Sequence, residues 1–304
     1  FTRDCIGPEV ENTVNQMRNG DVVLLENVRF HVEEEKGNPD FARALSRLAE
    51  IYVDDAFGTA HRNHVSMVGI THYLPAVAGL LLEKELNTLG GLLKHPAHPF
   101  GTLLGGAKVS DKVALMKNML DKVDFLLVGG GMAATFLKAQ GFEIGQSLYE
   151  EDRLETAREL MKKVDGNGVR LILPVDAIVT DNASDTGAYQ VVNINQIPQD
   201  KKIVDIGPKT IDKFSKELQK CQTVFWNGPM GIYEIPQFSH GTNSMAWILA
   251  GIDAATIIGG GSTAEIVINM GLAGKMSFVS TGGGASMSFL SGEKLPAVEA
   301  LLDK

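Results

Sequence analysis

Pro99-Phe100-Gly101-Thr102-Leu103-Leu104-Gly105-Gly106-Ala107-Lys108-Val109-Ser110-Asp111-Lys112 is the stretch from which the rest of the chain can be read. A short apolar run ends at Leu104 and two glycines follow. Val109, Val113, Met116, Leu120 and Val123 then recur at alternating spacings of four and three. That recurrence predicts one apolar helix face, so the stretch reads strand, glycine turn, helix. Lys108 and Lys112 fall in or near the predicted first turn, where the helix dipole is positive. A cation there costs roughly 0.3–1 kcal/mol unless an anion offsets it. An anion met by backbone N–H groups and both lysines resolves the conflict, and the glycines leave room for it.

The same grammar recurs downstream. Phe125-Leu126-Leu127-Val128 runs into Gly129-Gly130-Gly131, Val224-Phe225-Trp226-Asn227 into Gly228-Pro229, Thr256-Ile257-Ile258 into Gly259-Gly260-Gly261, and Phe278-Val279-Ser280-Thr281 into Gly282-Gly283-Gly284. Leu171 to Asp176 reads as a further strand of the series. Strands alternating with helices predict a parallel sheet covered on both faces, and ligands of such sheets sit beyond the carboxyl ends of the strands. Repeated glycine clusters there predict a lining around a large phosphorylated ligand.

Upstream, Pro8 suits the first turn of a polar helix over 5–20, and Asp21 to Leu25 reads as a buried strand. Glu33, Glu34 and Glu35 read as a solvated patch, 39–49 as a helix and Ile51-Tyr52-Val53 as a strand. A longer helix is predicted over 76–94, followed by a linker holding Pro96 and Pro99.

Composition narrows the function classes. The 304 residues are 44% hydrophobic and 21% charged, as in a soluble globular protein of two domains. A net charge of −9 argues against a nucleic-acid or anionic-membrane partner. Two distant cysteines, Cys5 and Cys221, give no disulfide framework and suit the cytoplasm. The apolar run Leu74–Leu82 is too short to span a bilayer. No initiator Met precedes Phe1, so the N-terminus is expected to be cut.

No segment fits GxxxxGK[ST], and no His-Arg-Asp or Asp-Phe-Gly signature appears. Gly129-x-Gly131-x-x-Ala134 and Gly259-x-Gly261-x-x-Ala264 fit the relaxed dinucleotide fingerprint, which keeps an NAD-dependent dehydrogenase as an alternative. The acidic residues at the required distance, Glu150, Glu151 and Asp152, open a predicted helix instead of ending a strand.

Leu25-Glu26-Asn27-Val28-Arg29-Phe30, Asp55-Ala56-Phe57-Gly58-Thr59-Ala60-His61-Arg62, Gly105 to Lys112, Gly129-Gly130-Gly131-Met132-Ala133, Trp226 to Gly231 with Glu234, and Ser280 to Ser286 together resemble the phosphoglycerate kinase family. The resemblance implies an α/β fold of two doubly wound parallel-sheet (Rossmann-like) domains joined by a hinge helix. It implies reversible phosphoryl transfer from 1,3-bisphosphoglycerate to ADP, with Mg²⁺ accompanying ADP or ATP. The expected partners are these small molecules alone, and the expected state is a monomer.

By the same resemblance Lys112, Gly261 and Gly284 are the expected catalytic positions. Lys108 is expected to hold nucleotide phosphates and Asn227, Gly228 and Pro229 to line the triphosphate, with Gly106, Gly259, Gly260, Ser262 and Thr263 as further nucleotide-binding positions. Gly129, Gly130 and Gly131 border the adenine, and Glu234 accepts from the ribose hydroxyls. Arg29 and Arg62 clamp the triose phosphate, with His61 beside them. The family usually has Asp where this chain has Ser262, so the protein contact of the metal is left open. Family members begin well before Phe1. Residues 1–75 are therefore expected to be part of a triose-binding domain, 76–99 the hinge and linker, 100–290 the nucleotide domain, and 291–304 a segment returning to the first domain. A nucleotide-binding fragment without catalysis is the second alternative.

Overall fold

The structure, a computed structural model, describes residues 1–184 and 187–302. By its internal contacts the chain divides into two units: Phe1–Asn87 with the C-terminal segment from Glu293, and Thr88–Gly292. The division falls inside a helix.

The first unit is built from short elements. Helix α1 (Pro8–Asn15) starts on its proline. Helix α2 (Val32–Glu35) precedes α3 (Pro39–Ser46), where the Asn38 side chain accepts from the N–H groups of Asp40 and Phe41. Strands β1 (Tyr52–Asp54) and β2 (Ala76–Ala78) pair in parallel, Tyr52 opposite Ala76. Phe41, Ala42, Leu45, Val65 and Cys5 form the core. The C-terminal segment joins this unit through Ala297 N–H to Ala60 O (3.1 Å) and Leu302 N–H to Ala76 O (3.0 Å).

Three expectations fail here. Asp21–Leu25 is not a strand, and Val22 and Leu24 are 90% and 68% exposed. Its apolar residues meet no sheet; the segment touches 2–4 through Thr2 N–H to Leu24 O and Glu26 N–H to Asp4 O. Glu34 does not belong to a solvated patch. It is buried, accepting from the Ser66 N–H (2.9 Å) and hydroxyl (2.5 Å). The long helix α4 (Leu80–Lys94) begins at 80, not 76, because 76–78 pair as β2 and Asp55 Oδ1 caps the Leu81 and Leu82 N–H groups at 2.6 and 3.0 Å.

The second unit carries the strand–glycine–helix grammar. Its strands are β3 (Phe100–Leu104), β4 (Phe125–Val128), β5 (Arg170–Ile172), β6 (Asp176–Thr180), β7 (Gln190–Asn193), β8 (Lys202–Ile206), β9 (Thr223–Asn227), β10 (Ala255–Gly259) and β11 (Phe278–Val279). Helices α5 (Val113–Met119), α6 (Met132–Ala139), α7 (Leu154–Gly166), α8 (Pro208–Leu218), α9 (His240–Gly251), α10 (Gly261–Asn269) and α11 (Gly284–Leu290) alternate with them. Six strands form an all-parallel sheet in the order β11-β10-β9-β3-β4-β5. The chain thus winds outward from β3 through β4 to β5, then returns beside β3 as β9 and continues the other way. The reversal between β3 and β9 opens the crevice where such sheets bind ligands. Leu103, Leu127, Trp226, Phe214, Met245 and Ile258 pack the core beside these strands.

Two details differ from expectation. Leu171 to Asp176 is not one strand. It leaves the sheet after Ile172, where Pro174 has no N–H to donate. Asp176 then starts β6 in a three-stranded antiparallel sheet, β7-β6-β8. The helix after the first glycine turn begins at Val113, so Lys112 is its N-cap and Lys108 lies in the preceding loop. The loop is held off the helix by Glu150, which accepts from the Ser110 N–H (3.0 Å) and hydroxyl (2.5 Å).

Candidate active site

At the switch point three backbones touch. Gly105 N–H donates to Asn227 O (2.9 Å), Gly106 N–H to Pro229 O (2.8 Å), Gly130 N–H to Met230 O (3.1 Å), and Met132 N–H to Gly106 O (3.0 Å). These bonds knit the turns after β3, β4 and β9 into one floor. Side chains would not fit there. A Cβ on Gly105 would lie 2.2 Å from Pro229 O, one on Gly130 2.7 Å from Gly106 N, and one on Gly228 2.4 Å from Gly105 O. Gly130 and Gly228 also have φ of +65° and +96°, the left-handed region that glycine occupies without cost. Gly261 and Gly283 differ: a Cβ there meets nothing within 4 Å. The clusters therefore hold two kinds of glycine, one set by backbone crowding and one facing open space.

Two cavities adjoin over this floor. The larger, about 660 Å³, is lined by Gly106, Lys108, Gly130, Gly131, Pro229, Glu234 and Ser262, with Leu148, Tyr149, Val204 and Ile232 supplying an apolar wall. The smaller, about 260 Å³, is lined by Gly106, Lys112, Asn227, Gly228, Pro229, Gly260, Gly261, Ser262, Thr263, Gly283 and Gly284. Gly106, Pro229 and Ser262 belong to both. Gly129 and Gly259 line neither: their Cα atoms face Met230 Sδ and the Phe225 ring. A wider groove of about 700 Å³, lined by Phe142, Leu173 and Lys213 among others, contains none of the expected residues.

The lining suits phosphate. Helix α10 starts after a glycine N-cap, Gly260, with no side chain capping its N–H groups, whereas at α6 the N–H groups of Met132, Ala133 and Ala134 already donate to the carbonyls of Gly106, Gly130 and Gly131. Bare helix N-termini hold anions through free N–H groups and the dipole. Lys112 Nζ hydrogen-bonds Asn227 Oδ1, while the buried Asn227 Nδ2 has no partner among the described residues. Burial lowers the Lys112 pKa to about 8, against a smaller opposing pull from Asp111. Lys108 is exposed in its loop.

Thr263 lies inside α10, buried, and its hydroxyl accepts from Gly228 N–H at 2.7 Å, tying α10 to the β9 turn. Trp226 is fully buried and donates Nε1–H to Gly228 O at 2.9 Å.

The triose candidates lie in the first unit. Arg29 is exposed over a shallow groove of about 340 Å³ with Phe30, His31, Val32, Glu35 and Lys36. That groove includes neither His61 nor Arg62. Both are half-buried, and His61 Nδ1 and Arg62 Nε have no partner among the described residues. Burial first, then the charges of Arg62 and His64, hold the His61 pKa below its ordinary value.

A family model described as phosphoglycerate kinase matches residues 1–293. The chain belongs to the phosphoglycerate kinase family. It is 50% identical over 301 residues to a phosphoglycerate kinase of Moorella thermoacetica, covering 99% of this chain and 77% of the relative. It is 52% identical to one of Pelotomaculum thermopropionicum with the same coverage. The structure of phosphoglycerate kinase from Coxiella burnetii superposes with a TM-score of 0.85 at 43% identity, over 92% of this chain and 72% of that one. That from Pyrococcus horikoshii gives 0.86 at 31%, over 98% and 76%. As a phosphoglycerate kinase the chain is a phosphotransferase of glycolysis with a carboxyl group as acceptor. The dehydrogenase alternative lacks its acidic partner as well: Glu150 is bound to Ser110, and Glu151–Arg153 form a 3-10 turn instead of a strand end.

Sequence reasoning missed two acidic groups of this chain. Glu150, 40 positions from Ser110, shapes the lysine loop, and no local pattern links the two. Asp205 is the next-to-last residue of β8, beside the larger cavity and buried, its oxygens accepting from Ile206 N–H (2.8 Å) and Gly241 N–H (2.7 Å). Burial outweighs those bonds and pushes its pKa up to about 7.

Proposed function

We propose that ADP or ATP lies across the two adjoining cavities, its phosphates in the smaller and its nucleoside in the larger. The observation that carries this reading is the shared edge of Gly106, Pro229 and Ser262, which joins an apolar, Glu234-bearing hollow to one ringed by glycines, Lys112 and a bare helix N-terminus. The Glu234 carboxylate would accept from the ribose hydroxyls, while Gly130 and Gly131 border the base. Lys108 would reach the nucleotide phosphates from its loop. Arg29 and Arg62 would hold the triose phosphate through their two-pronged donors, with His61 beside them.

The chemistry asks little of acid–base groups. The acceptor is a carboxylate in one direction and an ADP phosphate oxygen in the other, and both are ionised at neutral pH. Positioning and charge neutralisation carry the transfer. Lys112 would neutralise the moving phosphoryl group, and Asn227 Nδ2, lacking a partner among the described residues, would donate to the phosphate chain. Gly261 and Gly284 would offer backbone at the open side.

Magnesium fits here only as the nucleotide's own counter-ion. The smaller cavity has no carboxylate, and its hard-oxygen side chains are those of Asn227, Ser262 and Thr263. Of these Asn227 Oδ1 is engaged by Lys112 and the Thr263 hydroxyl by Gly228, leaving Ser262 as the protein contact. The ion would supply charge neutralisation. The acidic surface and the two buried free cysteines suit a monomeric cytoplasmic enzyme of small metabolites. Among the described residues no helix is long and apolar enough to cross a membrane.

Calorimetric titration tests the reading. ADP should bind, and NADH should neither bind tightly nor escape competition by ADP. Glu234→Ala should lose the parent's preference for ADP over 2′,3′-dideoxy-ADP, worth about 1.5–3 kcal/mol for hydrogen bonds to a charged group. Tight NADH binding indifferent to ADP would overturn the nucleotide assignment. Unchanged discrimination in the variant would remove Glu234 from the ribose.

A further inference from the structure

Asp4, Cys5 and His31 bring a carboxylate, a thiol and an imidazole together beside the shallow groove of Arg29, which His31 lines. Among the described residues they are the one trio whose donor atoms all lie within 4.8 Å of one another. We infer that this trio is a site for a thiophilic divalent cation of the zinc class, with Cys5 Sγ, His31 Nε2 and an Asp4 carboxylate oxygen as its protein ligands. Each donor is fixed by the fold. Asp4 Oδ1 lies 2.7 Å from His31 Nε2 and accepts from the Cys5 N–H at 2.6 Å. The His31 ring packs on Phe41 with centroids 5.1 Å apart. Cys5 is fully buried in the core with Phe41, Ala42, Leu45 and Val65, so its sulfur closes the inner side. The side chains of Asp4 and His31 are 52% and 28% exposed, which leaves an approach from solvent and room for water as a fourth ligand.

The donor set chooses the ion. Thiolate and imidazole favour zinc over magnesium, and three protein ligands with one open position is a known arrangement for it. A tetrahedral ion with bonds of roughly 2.0–2.3 Å sets its ligands about 3.3–3.6 Å apart. The Asp4–His31 contact then opens by about half an ångström, and the sulfur, within 4.8 Å of the other donors, closes toward them by up to about 1.3 Å. Burial and the neighbouring Asp4 carboxylate push the Cys5 thiol up to about 11. Zinc and cobalt are ligated by the thiolate, so binding replaces the thiol proton, which leaves to solvent. Occupancy would tie the chain at 4–5 to the turn that carries Arg29 two residues before His31.

Cobalt(II) is the probe, because its absorption reports both geometry and sulfur ligation. Titrated into the purified protein, it should give visible d–d bands of tetrahedral cobalt and a near-ultraviolet thiolate-to-cobalt band, saturating at one ion per chain. Zinc should displace it. Cys221→Ser should keep the thiolate band and Cys5→Ser should lose it. Asp4→Asn and His31→Gln, which leave the buried cysteine in place, should each weaken cobalt by about tenfold or more. Absence of the thiolate band in the parent protein at saturating cobalt would overturn the proposal. So would its survival in Cys5→Ser, or unchanged affinity in both ligand variants.

Discussion

Lys112 is an ammonium in a half-buried place, bonded to an amide oxygen and awaiting an anion. Burial holds its pKa at about 8, so near that pH the ligand-free site is part neutral. A bound polyphosphate favours the charged form and raises the pKa. Nucleotide binding should therefore take up a fraction of a proton near pH 8 and almost none at pH 6, and affinity should fall as pH rises through 8. Calorimetry in buffers of different ionisation enthalpy measures the uptake directly. No uptake at pH 8 would place the phosphates away from Lys112. Asp205 makes the complementary case. Its ordinary value is near 3.8 and burial carries it to about 7, so between these values the folded protein holds a proton that the unfolded chain has released. Its contribution to stability is full below about pH 4 and is lost as pH rises toward 7. Urea midpoints at pH 5 and 7.5 should show a larger loss in the parent than in Asp205→Asn. Equal losses would contradict the shift.

The glycine turns separate into two kinds only when elements are viewed together. Gly228 must be glycine because β3 and β9 share a floor; Gly261 must be small only if something binds. Gly228→Ala adds left-handed strain of roughly 1–2 kcal/mol and a backbone clash of roughly 1–3 kcal/mol. Chemical denaturation should show a loss of about 2–5 kcal/mol, and a loss below about 1 kcal/mol would contradict the crowding. Gly261→Ala, in the open first turn of α10, should unfold within about 1 kcal/mol of the parent yet bind ADP more weakly. From sequence the two kinds look alike, because glycine records that a side chain is excluded and not what excludes it. The same limit hid Glu150, which binds Ser110 in the loop before α5 starts at Val113. Periodicity located the helix, but the loop that leads into it is bonded to a residue 40 positions from Ser110.

For the whole molecule, the second unit was the more legible because its strands are buried runs ending in glycine. That pattern is dictated by a parallel sheet covered on both faces. The first unit resisted. Asp21–Leu25 has the composition of a buried strand, but it is neither paired nor buried. Composition records what a segment suits, and pairing requires a neighbour. Pro174 was the visible sign of the departure after β5, and the antiparallel sheet beyond it had none. The family resemblance rested on motifs at strand ends, the places that chemistry constrains, which is why it survived errors in the intervening elements. The central claim is that nucleotide phosphates sit where β3 and β9 diverge. Hydrogen–deuterium exchange with and without Mg-ADP tests it most directly. Slowed exchange should appear at 105–112, 227–234, 260–264 and 283–285, and not at the groove of Phe142, Leu173 and Lys213. Protection at that groove, with the glycine turns unchanged, would contradict the account.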